Sequence, residues 1–474
     1  INNSAINTDD ADSTVEVKAK DEARVINVAI GVGGAGNVAV QGASATTLIN
    51  KETSAGINST NIDAGHEGST KANVTVDAQN SSKITSSADV AAAAGSGAGV
   101  GAGIAVNRSI QQTNAAVNGG TMNVNNLTVN ANATPQITNI GVGVGVAGSG
   151  AGVTGSVAVN MIENNVTARI GSGATIVADG TVGVVATSDE QIANYAGQAS
   201  VAGTGAAVGL SVSYNELTGN TTAIIDGDTT SVSASGGDAL EVKDTVDDGA
   251  ILDKFADEEL FEAQDTLGND RKVSEYNGVA VSASSTHAIK SFLVNGGVAG
   301  EGAAVNGTVN VNQIGGSTKA AITDADINTA GTAGDVNVIA HDYTNSAGLV
   351  GSASVAGVGA GVGLGSDTNT VSREVTAEVV GKTDSDGNAA SVINAGAFNV
   401  EAEAQQGISS LTVGLGVGGI GAGVSNATSV ALLKGKTTAS VADVNITADS
   451  VDVLAKHGLS LIHISEPTRL GMIS

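Results

Sequence analysis

The chain has 474 residues, a formal net charge of −27, 66 glycines, and neither cysteine nor tryptophan. Phenylalanine and tyrosine contribute only four residues each, so the chain lacks the large side chains of a conventional globular core. The negative charge argues against nucleic acid as a partner, and the lack of cysteine excludes disulfides, thiol catalysis and cysteine-ligated metals.

A glycine-rich block returns seven times along the chain, and its clearest copy is residues 146–153. Each copy ends on a marker valine, and the spacings between successive markers are 60, 53, 55, 97, 57 and 62 residues. The markers are Val40, Val100, Val153, Val208, Val305, Val362 and Val424. Repetition at such a period is typical of stacked architectures, so the fold is built from repeated units.

Seven residues after the marker valine, five copies carry an asparagine. These residues are Asn107, Asn160, Asn215, Asn312 and Asn369. The first and last copies carry Thr47 and Ala431 instead. Equivalent residues of stacked units lie above one another, so we expect a structural ladder of amides that satisfies polar groups.

Short β-branched runs follow the glycine blocks and are separated by Gly, Asp, Asn and Ser. Such runs occupy residues 73–76, 122–129, 166–170, 174–178, 181–186, 336–339, 398–402 and 444–453. The pattern predicts an all-β repetitive β-solenoid, either a parallel β-helix or a stacked β-prism. We expect two or three coils per unit, and therefore a rod on the order of 70–100 Å long with strands about 4.8 Å apart.

The blocks themselves alternate glycine with valine, as in residues 141–146. A strand of this kind presents glycine on one side and valine on the other. We expect the glycine side to allow close approach of a neighbouring backbone and the valine side to pack normally.

The 97-residue spacing contains an acidic insertion at residues 236–278. Residues 238–272 include twelve acidic and four basic side chains. Within this insertion the sequence predicts one short amphipathic helix, whose apolar side is formed by Ile251, Leu252, Phe255, Leu260 and Phe261. The insertion is either a solvated surface flap or a protrusion that contacts a partner through Phe255, Leu260 and Phe261.

No catalytic, cofactor or metal site is predicted from the residue spacing. Residues 31–36 and 416–421 match the dinucleotide-binding glycine pattern, but no convincing helix follows either one. Residues 324–326 and 384–387 resemble calcium-binding turns, yet the calcium-binding nonapeptide of β-rolls does not occur, so both are predicted to be structural turns. The histidines outside the terminal segment are predicted to be surface or turn residues, namely His66, His287, His341 and His457.

The chain divides into solenoid repeats at residues 1–235, the acidic insertion at 236–278, solenoid repeats at 279–458 and a terminal segment at 459–474. Residues 459–469 resemble a translated transposase-type sequencing adapter, so we expect the terminal segment to be an assembly artefact. The first residues are polar and repeat-like without a signal peptide, so we expect a fragment of a longer protein.

Two units, residues 143–160 and 298–312, resemble the β-strand repeats of large filamentous adhesins, most closely the leukotoxin-like filamentous adhesin family of diderm anaerobes. The resemblance covers most of residues 25–458. It implies export by a type V route such as two-partner secretion, and therefore an outer-membrane secretion partner. It also implies a secreted or cell-surface location and attachment to a receptor or glycan of a host cell or neighbouring cell.

Three functions follow as alternatives. The first is a structural and adhesive rod segment that mediates attachment or aggregation. The second is the stalk of a secreted toxin whose effector lies outside this sequence. The third is a carbohydrate-active β-helix enzyme, which the scarcity of aromatic residues for sugar stacking disfavours, so no enzymatic activity is predicted.

Overall fold

The computed structural model describes residues 1–8, 13–64, 71–171, 173–246, 271–329 and 333–469, which contain 21 β-strands and no helix. In chain order the strands are β1 (Ala5–Thr8), β2 (Thr14–Ala35), β3 (Ala39–Asn58), β4 (Asn61–Ala64), β5 (Asn73–Ala94), β6 (Gly99–Asn118), β7 (Thr121–Val124), β8 (Leu127–Ala147), β9 (Gly152–Gly171), β10 (Thr175–Ala178), β11 (Val182–Asp226), β12 (Ser231–Ala234), β13 (Leu240–Val246), β14 (Arg271–Tyr276), β15 (Gly278–Thr323), β16 (Asp326–Ile327), β17 (Asp335–Val358), β18 (Gly361–Val380), β19 (Ser391–Ile420), β20 (Gly423–Ala442) and β21 (Val444–Arg469). The predicted all-β solenoid is confirmed. Within these ranges no helix combines the length and apolar character needed to cross a membrane.

Nineteen of these strands form one continuous parallel sheet that winds into coils. Each coil has a long strand on a first face, a glycine corner, a long strand on a second face, and a short strand on a third face. The first face contains β2, β5, β8, the first halves of β11 and β15, then β17, β19 and β21. The second face contains β3, β6, β9, the second halves of β11 and β15, then β18 and β20. The third face contains β1, β4, β7, β10, β12, β16 and the first residues of β19 and β21.

One sequence repeat forms one coil. The seven marker valines are register partners of one another from Val40 on β3 to Val424 on β20. The expectation of two or three coils per repeat is therefore wrong, because runs separated by glycine in the sequence belong to single strands of about twenty residues. The eight described first-face strands span only about 34 Å along the stacking axis, whereas each long strand extends about 66 Å across it.

The interior narrows from the third face toward the glycine corner. Isoleucine, valine and leucine fill most of the wide end, as with Val76, Leu127 and Ile176. Two facing columns of aliphatic residues, one on each long face and represented by Ile137 and Ile162, cross the middle of the coils. Near the corner the side chains between the two long faces are mostly small, with alanines such as Ala202 and Ala207 beside a few polar residues such as Asn306. Close to the corner the inward-facing glycines leave room for the opposite face, because a Cβ atom on Gly145 would lie 2.8 Å from the carbonyl oxygen of Val153.

At the corner, glycines of successive coils stack directly on one another. Gly205, Gly302 and Gly359 adopt positive φ angles of 119°, 115° and 123°, a region that L side chains rarely occupy. A Cβ atom on Gly302 would also clash with the carbonyl oxygen of Gly205 in the preceding coil. Both conditions favour glycine here, which explains why six of the seven copies have glycine at this position, the first copy having Asn37.

The valine side of the glycine blocks is largely exposed. Val142 and Val298 retain 46% and 49% of their accessible surface, and Leu210 on the second face retains 50%. The expectation that this side packs normally is therefore wrong, because the close contact between the faces is made entirely by the glycine side. Apolar residues consequently flank the corner on the outer surface.

The acidic insertion leaves the solenoid between β12 and β15. Its described ends form an antiparallel hairpin, β13 and β14, whose Val242 and Tyr276 pack against Val185 and Ile339 on the outside of the first face. The predicted helix with Ile251, Leu252, Phe255, Leu260 and Phe261 lies outside the described residues. The coils continue in register across the insertion, because β11 pairs with β15 along both long faces.

Residues 459–469 of the terminal segment continue the first face. The backbone of β21 pairs with β19 from residue 444 to residue 469, including the adapter-like residues 459–469. The prediction about the origin of this segment concerns the gene and stays a prediction.

Candidate functional sites of the solenoid

The five repeat asparagines form one continuous ladder inside the second face. Each of the first four donates from Nδ2 to Oδ1 of its counterpart in the following coil, at 2.9, 2.8, 2.9 and 2.8 Å in order from Asn107 to Asn369. All five side chains are fully buried. Parallel in-register strands place identical side chains about 4.8 Å apart, and a carboxamide supplies both the donor and the acceptor that such a column needs.

A second polar row on the first face braces this ladder. In this row Asn139 donates to Asn194 at 2.7 Å, and Ser291 donates to the ladder oxygen of Asn312 at 2.8 Å. One coil further on, Ser346 in a neighbouring column of the same face donates to the ladder oxygen of Asn369 at 2.8 Å. The sequence analysis did not identify this row. Its spacings of 55 residues from Asn139 to Asn194 and 97 residues from Asn194 to Ser291 equal those of the ladder from Asn160 to Asn312, and this is the signal that a coil-by-coil alignment would have used.

A charged cluster lies wholly inside the coils where the two long faces meet. It contains Glu190, His287, Asp342 and Arg373, each at most 2% exposed. Arg373 donates from Nε and Nη2 to Asp342 Oδ2 at 3.0 and 2.8 Å, and His287 Nδ1 lies 3.3 Å from Glu190 Oε2. The prediction that His287 is a surface or turn residue is wrong, because it belongs to this cluster.

The cluster is arranged to hold a carboxylate in its charged form. Burial opposes ionisation of Asp342, but the charges of Arg373 and His287 and hydrogen bonds from Thr344 and Arg373 outweigh burial and keep its pKa well below the usual 3.8. Ser285 and Thr318 also donate to Asp342 Oδ2, each at 2.8 Å. The serine hydroxyl thus contacts the carboxylate in an enclosed core, and the arrangement balances charge there.

Two glycines provide the space for the guanidinium group of Arg373. Gly219 and Gly316 occupy the same column as Arg373 in the two preceding coils. A Cβ atom on Gly316 would lie 2.6 Å from Nη1 of Arg373, and this nitrogen donates to the carbonyl oxygens of Gly219 and Gly315 at 3.0 and 2.7 Å. The guanidinium group of Arg373 therefore lies against the backbone of the two preceding coils, at Gly219 and Gly315.

The calcium-like turns use their carboxylates within the chain. Asp326 pairs with Lys382 at 3.0 Å. Asp384 accepts the backbone N–H groups of Asn388 and Asp386 at 2.8 and 2.9 Å, and the hydrogen bond from Asn388 contributes most to lowering its pKa. These two carboxylates are therefore engaged by donors of the chain itself.

One group with metal-ligand chemistry lies on the outer side of the first face. His341 on β17 is 5% exposed, and Glu401 and Glu403 on β19 lie beside it with ligand atoms of all three residues within 4.8 Å of one another. The prediction that His341 is a surface or turn residue is wrong with respect to burial. This group is not apparent as a sequence motif, because His341 and its register partner Glu403 are 62 residues apart and meet only through strand pairing.

The predicted contact residues Phe255, Leu260 and Phe261 lie outside the described residues. The hairpin of β13 and β14 borders an open groove on the first face, whose lining includes Lys18, Asp77, Asn130, Thr187 and Leu240. His457 lies at the surface, as predicted, with Nδ1 3.1 Å from the Thr437 hydroxyl. His66 lies outside the described residues.

Comparison of the chain with protein-family models, with curated proteins and with solved structures found no significant match.

Proposed function

We propose that this chain is a structural and adhesive segment of a large secreted or surface-exposed bacterial protein of the filamentous-adhesin type. The observation that carries the proposal is that each sequence repeat adds one coil to a continuous parallel stack. Such a stack grows by adding coils without any change to its core, which suits a protein that extends from a cell. The net charge of −27 favours solubility of an extended surface and opposes lateral clumping.

Contact with the partner is assigned to the acidic insertion and the groove beside it. Val242 and Tyr276 pack the hairpin against the first face, so the two ends of the insertion are held at a defined place on the solenoid. The groove combines Lys18 and Asp77 with the amide of Asn130, groups able to bind hydroxyls of a glycan or polar groups of a protein receptor. The partner is a receptor or glycan on a host cell or a neighbouring bacterium.

Export by a type V route through an outer-membrane secretion partner is part of the same proposal. It is supported by the resemblance of residues 143–160 and 298–312 to filamentous-adhesin repeats. A parallel stack whose coils form successively is also compatible with passage of an extended chain followed by folding outside the cell.

The adhesive role is tested by coating beads with the purified chain and measuring saturable binding to epithelial cells, to bacteria and to a glycan array. A variant lacking residues 237–277 measures the part played by the insertion. This deletion is compatible with the fold, because Gly236 and Gly278 are adjacent: a Cβ atom on Gly236 would lie 3.3 Å from the backbone nitrogen of Gly278. A substitution variant with Phe255, Leu260 and Phe261 changed to serine leaves the hairpin intact.

We expect saturable binding that free chain inhibits, and a loss of binding in both insertion variants. The matched control is Val298→Ser, which changes an exposed apolar residue of the coil surface and should bind normally. Normal binding by the deletion variant would move the contact from the insertion to the coil faces. No saturable binding to any of the three targets would contradict an adhesive role.

A further inference from the structure

We propose that His341, Glu401 and Glu403 form a binding site for one divalent transition-metal ion, with zinc preferred. The site lies on the outer side of the first face and ties the coil of β17 to the coil of β19. This inference goes beyond the adhesive function and does not depend on it.

The backbone presents the three side chains on one surface. His341 and Glu403 are direct register partners on neighbouring parallel strands, and Glu401 precedes Glu403 by two residues, which places it on the same side of β19. Their candidate ligand atoms already lie within 4.8 Å of one another. Because the strands are held by the ladder of backbone hydrogen bonds, only side-chain rotation is needed to bring the ligand atoms closer.

The imidazole of His341 indicates a ligand independently of the clustering of the three residues. The residue is only 5% exposed, and within the described chain neither ring nitrogen has a hydrogen-bond partner. A buried polar group without a partner destabilises a fold by about 1–3 kcal/mol. Coordination of a metal by one ring nitrogen would give that nitrogen a partner. The imidazole also makes an edge contact with Tyr343, at 6.3 Å between ring centroids, which restrains the orientation of the ring.

The set of one imidazole nitrogen and two carboxylate oxygens selects the kind of metal. Zinc is bound by histidine and carboxylates in tetrahedral geometry at about 2.0–2.2 Å, which puts the ligand atoms roughly 3.4 Å apart and leaves a fourth position for water. Calcium and magnesium prefer oxygen ligands alone. Gln405 donates to Oε1 of Glu403 at 2.9 Å and so orients this carboxylate, as partners of metal ligands commonly do.

A lysine ammonium group already lies next to both carboxylates. Lys456 on β21 is 2.6 Å from Oε1 of Glu401 and 3.8 Å from Oε2 of Glu403, with 51% of its side chain exposed. Exposed ion pairs contribute about 0–1 kcal/mol, so a divalent ion is able to displace this flexible side chain. Lys456 is thus a competitor for the metal, and its removal should strengthen binding.

The test is isothermal titration calorimetry of the full chain with zinc chloride, accompanied by the visible absorption spectrum of the cobalt(II)-loaded chain. The variants are His341→Gln, Glu403→Gln and Lys456→Gln. The control is His457→Gln, which removes an exposed histidine of the same strand as Lys456 and keeps the number of histidines equal to that of His341→Gln.

We expect one zinc ion per chain, with affinity lowered at least tenfold in His341→Gln and Glu403→Gln, raised in Lys456→Gln and unchanged in His457→Gln. Calcium and magnesium should bind at least tenfold more weakly than zinc, and cobalt should give the visible bands of a four-coordinate site only when His341 is present. Unchanged zinc affinity in His341→Gln, or equal binding of calcium, would overturn the proposal and leave only an adventitious ion on an acidic surface. Circular dichroism of each variant without metal separates loss of the site from loss of the fold.

Discussion

Arg373 and Asp342 form an ion pair with no solvent-exposed side-chain surface, in which Nη2 of the arginine lies 2.8 Å from Oδ2 of the aspartate. Removing one member of a buried pair leaves the other charge uncompensated, which typically costs about 3–5 kcal/mol. We therefore expect Arg373→Met to lower the free energy of unfolding by about that amount, measured by urea denaturation followed by circular dichroism.

The double variant Arg373→Met with Asp342→Asn should recover much of this loss, because it leaves no isolated charge in the core. The exposed pair Lys436 and Glu374 provides the control, with 70% and 56% of the two side chains accessible. Lys436→Met should change stability by less than about 1 kcal/mol. Equal effects of the buried and exposed substitutions would contradict the assigned role of Arg373.

The same pair predicts a dependence of stability on pH. The pKa of Asp342 is lower in the folded chain than its usual value of 3.8, so the folded state favours the ionised form. The resulting stabilisation is complete above about pH 4 and is lost as the pH falls through the lower folded-state pKa. Unfolding measured from pH 6 to pH 2.5 should therefore show a steeper loss in the unmodified chain than in the double variant. Parallel curves below pH 4 would count against this interpretation.

The asparagine ladder predicts a contrast between two residues of one strand. Asn215 is fully buried and donates to Asn312 at 2.9 Å, whereas Asn220 is exposed and donates to Asn165 at 3.1 Å. Asn215→Ala leaves buried ladder groups without partners and should cost about 2–3 kcal/mol. Asn220→Ala leaves groups that water can satisfy and should cost about 0.5 kcal/mol or less. Denaturant midpoints of the two variants measure the difference, and similar midpoints would show that the ladder adds little.

The corner glycines predict a position-specific effect of adding one methyl group. Gly302→Ala combines a positive φ angle of 115° with a clash against the carbonyl of Gly205, so we expect a loss of about 2–5 kcal/mol. Gly141→Ala is the control, because a Cβ atom there meets no other atom within 4 Å. Thermal unfolding should show a clearly lower midpoint for the first variant and little change for the second. A normal midpoint for Gly302→Ala would mean that the corner rearranges freely.

Much of the architecture could be predicted from the sequence because the repeat determines the register. The marker valines and the five asparagines fall into single columns, since parallel stacking preserves the position of each residue within its unit. The number of coils per repeat could not be predicted, because glycine signals both a turn and a thin interior. The strands therefore looked shorter in the sequence than they are.

The sites formed between coils could not be predicted from the sequence, for a different reason. Glu190 and His287 are register partners on the first face, and their 97-residue separation equals the long repeat spacing. Arg373 comes from the second face of a later coil, and no repeat spacing relates it to either residue. His341 and Glu403 meet only because two strands pair in one specific register. Single, non-repeated residues are recognisable in such a fold only after the whole sequence has been aligned coil by coil.

The continuity of the columns across the insertion bears on how genes of this type change. Asn215 and Asn312 are 97 residues apart in the chain, yet their amides lie as close as those of coils separated by 53 residues. Recombination that removes or duplicates one entire repeat would bring equivalent residues together again at the new junction. The height of the stack would then change in steps of about 4.8 Å, while the segment between two coils could acquire a new insertion without disturbing either neighbour.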